Sequence, residues 1–278
     1  MPYTAEVNRA NPSSFLFMID QSRSMSDAFG GGAGRRKADG VSDAINRLLE
    51  NLTIKCAKGD GIYDYFHVGV IGYGTNVGPA FSGSLTGKKT AKISEIADAP
   101  ARLDDRTRKV DDGSGGLTEV TVKMPIWFEP VASGGTPMAE AMQLSQEILQ
   151  DWIGQNPNAY PPIVINITDG EANSNDAAAA AAKALSSLST TDGNVLLLNC
   201  HISAHAASPI VFPDSDAALP DQYARLLFNM SSVLPEKLIL TARSEGYMIG
   251  DKARGFAFNA DLVELIRFLD IGTRGNLR

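Results

Sequence analysis

Short, wholly apolar runs separated by amphipathic stretches set the first expectation. Residues 15–19 (Phe-Leu-Phe-Met-Ile) are continuously apolar between Asn11-Pro12 and the polar Asp20-Gln21-Ser22-Arg23-Ser24, which predicts a strand buried on both faces. Beyond a glycine-rich loop at 30–34, Val41, Ile45, Leu48, Leu49 and Leu52 recur at helical spacing, the mark of a helix laid on a sheet. Residues 65–73 alternate aromatic, β-branched and glycine positions as a second strand, 77–81 reads as a short edge strand, and 88–97 as a small helix.

Residues 101–118 are charged and punctuated by glycine, with too little apolar area for a core, and read as an exposed insertion; 120–128 reads as extended. Ser133-Gly134-Gly135-Thr136-Pro137 then leads into a helix whose stripe is Met138, Ala141, Met142, Ser145, Ile148, Leu149 and Trp152, with the methionines as core filling. A buried strand over 163–168 ends at Asp169-Gly170, and 173–176 caps an alanine-rich helix running to Leu188. Asp192-Gly193-Asn194 turns the chain into a further apolar strand at 195–199. Past His205 the pattern is less regular: 221–230 looks helical, 237–241 extended or helical, 255–259 a last strand and 262–269 a closing helix. This alternation predicts an α/β fold with a doubly wound sheet and right-handed crossovers.

Composition narrows the function classes. At 278 residues and 44% apolar content the chain can bury a large core, which excludes disorder throughout. A net charge of -7 disfavours duplex nucleic acid or an anionic membrane surface as the main partner, and Arg35-Arg36-Lys37 reads as a solvated loop. Residues 1–11 hold no basic, apolar leader and 15–19 is too short to span a bilayer, so a cytoplasmic chain without membrane attachment is expected. Cys56 and Cys200 lie in no CxxC spacing, and Cys200 reads as a small hydrophobe ending a buried strand.

Polar loops directly after strands or before a helix carry the chemistry. Asp20, Ser22 and Ser24 follow the first strand, Thr136 precedes the long helix and Asp169 follows the later strand; open α/β sheets gather such loops at the carboxyl ends of their strands. Two carboxylates and three hydroxyls offer hard oxygens only, which suits Mg²⁺ or Mn²⁺ and argues against zinc or copper. Each residue also has a plainer reading: Asp20 and Asp169-Gly170 as turn formers, Ser22 or Ser24 as helix caps, Thr136 before Pro137 as an N-cap. Cys200, His201 and His205 suggest a zinc site only weakly, since no fourth ligand is spaced nearby. The glycine loop lacks the phosphate-binding form GxxxxGK[ST].

Together, Asp20-Gln21-Ser22-Arg23-Ser24, the Gly134-Gly135-Thr136-Pro137 loop and Thr168-Asp169-Gly170 resemble, in order and context, the metal-ion-dependent adhesion site (MIDAS) of von Willebrand factor type A (VWA) domains. The family's first motif, Asp-x-Ser-x-Ser, is matched at every defining position, and the resemblance covers residues 13–199 with a less typical continuation to 270. It implies a Rossmann-like, mostly parallel sheet with helices on both faces and one short antiparallel edge strand, in a single domain over 1–278 with an insertion at 101–118 and an extended part at 205–278. It also implies that Ser22 and Ser24 ligate the cation directly, Thr136 directly or through water, and Asp20 and Asp169 largely through water. A partner's Asp or Glu then completes the shell. The chain is more similar to stand-alone bacterial cytoplasmic members, which work beside ATPases, chelatases, kinases or phosphatases, than to adhesion ectodomains. The expected function is therefore metal-dependent protein binding and not catalysis. A metal-dependent hydrolase of phosphoesters or amides, and a metal-free structural domain, are the alternatives.

Overall fold

The computed structural model describes residues 3–28, 34–111, 116–202 and 208–273. The glycine loop at 30–34, apart from Gly34, and His205 fall outside them.

The central sheet is built from β1 (Ser13–Asp20), β2 (Phe66–Tyr73), β3 (Val77–Pro79), β4 (Ala91–Lys92), β7 (Ile163–Thr168), β8 (Leu196–Ile202), β9 (Ile210–Val211) and β10 (Phe256–Ala260), with β5 (Arg102–Asp111) and β6 (Leu117–Ile126) forming a separate ribbon. Its order is β9-β10-β8-β7-β1-β2-β3, and β4 also pairs with β2. Neighbours β10, β8, β7, β1 and β2 run parallel, whereas β3, β4 and β9 pair antiparallel at the edges. The fold is thus a Rossmann-like, doubly wound, mostly parallel sheet, with two more short antiparallel strands than expected.

Alternation of side chains along β1 sorts the core into two layers. Phe15, Phe17 and Ile19 face one side, where α1 (Lys37–Cys56), α2 (Ile93–Asp98), α6 (Glu236–Ser244) and α7 (Leu262–Gly272) supply Val41, Ile45, Leu49, Ile96, Leu238 and Phe268. Leu16 and Met18 face the other, against Met138, Met142 and Leu149 of α3 (Met138–Gln155), Ala178 and Leu185 of α4 (Asn175–Ser187), and Leu227 of α5 (Gln222–Met230). With both faces covered, a polar residue in the middle of β1 would be costly, which is why 15–19 is uniformly apolar.

Several local expectations change. Of the helix expected at 88–97, residues 93–97 are helical within α2 while 91–92 pair with β2 as β4, and 237–241 is helical within α6. Within the expected insertion, 102–111 forms β5 and 117–118 opens β6, which runs on through the expected extended stretch to Ile126, paired from Arg102↔Ile126 outward; residues 112–115 lie outside the described residues. At the ribbon's base Met124 and Ile126 are buried, Asn46 of α1 accepts the Trp127 and Phe128 amides, and Arg106 pairs with Asp43. Cys200 does not end its strand, because β8 runs on through His201 and Ile202.

What positions the site is the order of winding. From β1 the chain moves outward through β2 and β3 on one side, and after β7 through β8 and β10 on the other. The crossovers on the two sides lead away from each other, leaving a crevice at the carboxyl ends of β1 and β7. Asp20 is the last residue of β1 and Asp169 follows the last residue of β7.

Candidate metal centre

Asp20 is fully buried, and each carboxylate oxygen is held: Oδ1 accepts the Ser22 amide at 2.8 Å and Oδ2 accepts the Thr168 hydroxyl at 2.7 Å. The first bond is an Asx-type turn, so the turn-forming reading of Asp20 is realised alongside its place in the cluster. Burial pushes its carboxyl up to about 6, opposed by the bonds from Ser22 and Thr168, with the charge of Asp169 adding to the rise.

The turn brings Ser22 and Ser24 together, with their hydroxyl oxygens 3.0 Å apart. Neither is used as a cap: a short 3₁₀ turn over Arg23–Ser26 follows Ser22 without a side-chain bond to it. Ser24 Oγ instead donates to Asp169 Oδ1 at 2.7 Å, across 145 residues of chain.

Thr136 is delivered by a loop fastened to both neighbours. The Ser133 amide donates to the Gln21 carbonyl at 2.6 Å, and the Arg23 amide donates to the Gly134 carbonyl at 3.1 Å. Gly134 has φ +85°, and a Cβ there would strike the Thr75 backbone, so glycine is required for this close approach. On the other side Asn173 Oδ1 accepts the Thr136 amide at 2.9 Å, while the Asn173 amide donates to the Thr136 carbonyl at 3.0 Å. The Thr136 side chain does not cap α3, and its hydroxyl makes no hydrogen bond with the described residues. All five expected residues therefore sit on three loops tied to one another at one end of the sheet.

Three participants escaped the sequence reading. Thr168 holds Asp20, and Asn173 grips the Thr136 loop, while Ser174 caps α4 within the expected 173–176 segment. The third, Lys37, corrects the expectation of a solvated loop. It opens α1, is only 5% exposed, and its Nζ donates to Asp169 Oδ2 at 2.7 Å. At the N-terminus of α1 its charge opposes the helix dipole, which the Asp169 carboxylate offsets.

The donor chemistry fits a small hard cation. Ligands about 2.0–2.1 Å from an octahedral Mg²⁺ lie about 3.0 Å apart along an edge, and the Ser22–Ser24 oxygen separation of 3.0 Å is close to that spacing. Softer alternatives have no comparable assembly: among the described residues no group of three or more His, Cys, Asp and Glu side chains gathers. His201 stacks on Phe258 and accepts the Asn259 amide, and burial holds its imidazole down near 4. Cys200 is buried, with its thiol pushed far up by desolvation.

No family model matches the chain, and no curated protein matches it. Among solved structures, it is similar to the manganese-loaded TRAP protein of Plasmodium vivax, with 16% identity over 97% of this chain and 76% of that one, at a TM-score of 0.44. PilB minor pilin from Streptococcus sanguinis matches at 11% identity over 95% of this chain and 61% of that one, at a TM-score of 0.47. The vWF domain of the type V pili tip protein Mfa5 from Porphyromonas gingivalis matches at 13% identity over 58% of this chain and 39% of that one, at a TM-score of 0.33. Likenesses this distant assign no activity to the chain.

Proposed function

We propose that this chain is a von Willebrand factor type A module that binds a protein partner through one divalent cation, Mg²⁺ or Mn²⁺, and does not turn over a substrate. The observation that carries this reading is the bonded set Asp20, Ser22, Ser24 and Asp169 at the winding reversal, with the Thr136 loop fastened beside it.

Ser22, Ser24 and Thr136 would hold the ion, with Asp20 and Asp169 behind them. The cation supplies a concentrated positive charge for an incoming carboxylate. The chain's own groups do the positioning. Asp20 fixes the turn that aims Ser22, Thr168 fixes Asp20, and Asn173 holds the Thr136 loop. Because the chain is acidic overall, an Asp or Glu of the partner would be repelled at long range unless a cation stands between them. The partner is therefore a protein offering an acidic side chain, of the kind found with cytoplasmic ATPases, kinases or phosphatases. The β5–β6 ribbon and residues 205–278 serve as accessories in a single bacterial domain. No described helix is long and apolar enough to cross a membrane.

The test is capture from a cell extract in Mg²⁺ and in EDTA, followed by amide replacement of the partner's acidic residues. The reading expects capture in Mg²⁺ alone and its loss on Asp→Asn or Glu→Gln at one partner position. Capture unchanged by EDTA would refute it.

A further inference from the structure

Lys37 stands at the site in an unusual way. Its ammonium lies 2.7 Å from Asp169 Oδ2, while the other oxygen of that carboxylate is taken by Ser24, and Asp27 Oδ2 is 3.8 Å away. The Lys37 side chain is 7% exposed and that of Asp169 is wholly buried, whereas Asp27 is open to solvent. Burying an ammonium costs solvation free energy, and placing it at the start of α1 sets it against the helix dipole. A neutral residue would fill the position at lower cost.

On the cation reading above, Lys37 sets the net charge of the site. Among the buried groups, with solvent-exposed Asp27 screened by water, Asp20, Asp169 and Lys37 together carry one negative charge, so a divalent cation turns the buried site to one positive charge. Without Lys37 the loaded site would be neutral. We infer that Lys37 is a specificity-determining residue: it weakens the hold on the cation, and it supplies the surplus positive charge that draws one monovalent anion, a carboxylate, to the loaded site. It thereby selects a single carboxylate over neutral oxygen ligands such as amides and hydroxyls.

The experiment compares the full-length wild type with Lys37→Met, which removes the charge and keeps the length, and with Lys37→Arg, which keeps the charge. Mn²⁺ is titrated by calorimetry and by electron paramagnetic resonance. Acetate and acetamide are then titrated into the Mn²⁺-loaded protein, followed by water proton relaxation. Lys37→Met should bind Mn²⁺ more tightly by on the order of tenfold and acetate more weakly by a similar factor, narrowing the preference over acetamide; Lys37→Arg should keep the acetate preference. Opposite movement of the two affinities separates this role from a structural one, which would weaken both. Should methionine unfold α1, Lys37→Gln makes the same comparison. Wild-type Mn²⁺ binding with both affinities unchanged in Lys37→Met, or lowered together, would overturn the inference alone. Failure of the wild type to bind Mn²⁺ would overturn the cation reading and this inference with it.

Discussion

Thr168 Oγ1 donates to Asp20 Oδ2 across 2.7 Å, linking the ends of two adjacent parallel strands inside the core. A hydrogen bond to a buried carboxylate is among the stronger kinds, and losing the donor leaves an oxygen without a partner. Thr168→Val, nearly the same in shape, should therefore lower unfolding stability by about 1.5–3 kcal/mol in urea titrations. It should weaken Mn²⁺ binding as well, because Asp20 would no longer be held against the Ser22 turn. A variant with wild-type stability would show that the bond contributes nothing.

Asp20 and His201 make opposite demands on pH. Native Asp20 titrates near 6, above its ordinary 3.8, so between those values the folded chain holds a proton the unfolded chain has lost, and raising pH costs stability. Native His201 titrates near 4, below its ordinary 6.5, so falling pH through that window lets the unfolded chain take a proton the fold refuses, and lowering pH costs stability. Each effect is about 3 kcal/mol at full extent, and in metal-free protein the two largely offset. Relative to wild type in EDTA, Asp20→Asn should gain stability as pH rises from 4 to 6.5, and His201→Gln should lose it. Urea melts at several pH values check this; difference curves without slope would contradict it.

A buried polar line leads away from the site. The Tyr73 hydroxyl donates to Asn166 at 2.6 Å, Asn166 donates to Asn199 at 2.9 Å, and Asn199 donates to Ser231 at 2.9 Å, next to the end of α5. Asn166→Leu and Asn199→Leu should each cost about 2–4 kcal/mol, since each strands its neighbour's polar atoms in the core. The double variant should cost less than the sum by about 1–2 kcal/mol, as residues in one network do. Additive losses in a double-mutant cycle would mean the two amides act independently.

The β5–β6 ribbon is anchored at its base, not at the metal centre. Replacing residues 108–120 with Asn-Gly would leave Thr107 opposite Thr121 and close the shortened strands with a favoured two-residue turn. Mn²⁺ affinity should stay within about threefold and melting temperature within a few degrees, because Asn46, Trp127 and the Asp43–Arg106 pair are retained. Loss of Mn²⁺ binding by a folded trimmed chain would place the ribbon in the site.

The central strands β1, β2, β7 and β8 and the five oxygen-bearing residues were legible for a physical reason. A strand covered on both faces is mostly apolar, so the polar residues at its carboxyl end, Asp20 and Asp169, stood out. Lys37 was not legible, because beside Arg35 and Arg36 it looks like one more surface cation, and only its distant pairing with Asp169 separates it from them. Half of the ribbon was legible, since Val120, Val122 and Met124 alternate with polar residues; the other half was missed because the charged stretch that holds their pairing partners looks unstructured by itself. Asn166 and Asn199 did leave a trace: each is the polar residue inside an otherwise apolar run, which only a buried hydrogen-bond partner makes tolerable.

The most direct measurement is a calorimetric Mn²⁺ titration of the wild type and of the Ser22→Ala, Ser24→Ala double variant, with circular dichroism to establish that both are folded. The cation reading expects one Mn²⁺ per wild-type chain and none for the double variant, with unchanged dichroism, since both hydroxyls point into the Asp169 cluster and not into the core. Wild-type protein that takes up no Mn²⁺, or a folded double variant that binds it with undiminished affinity, would contradict that reading.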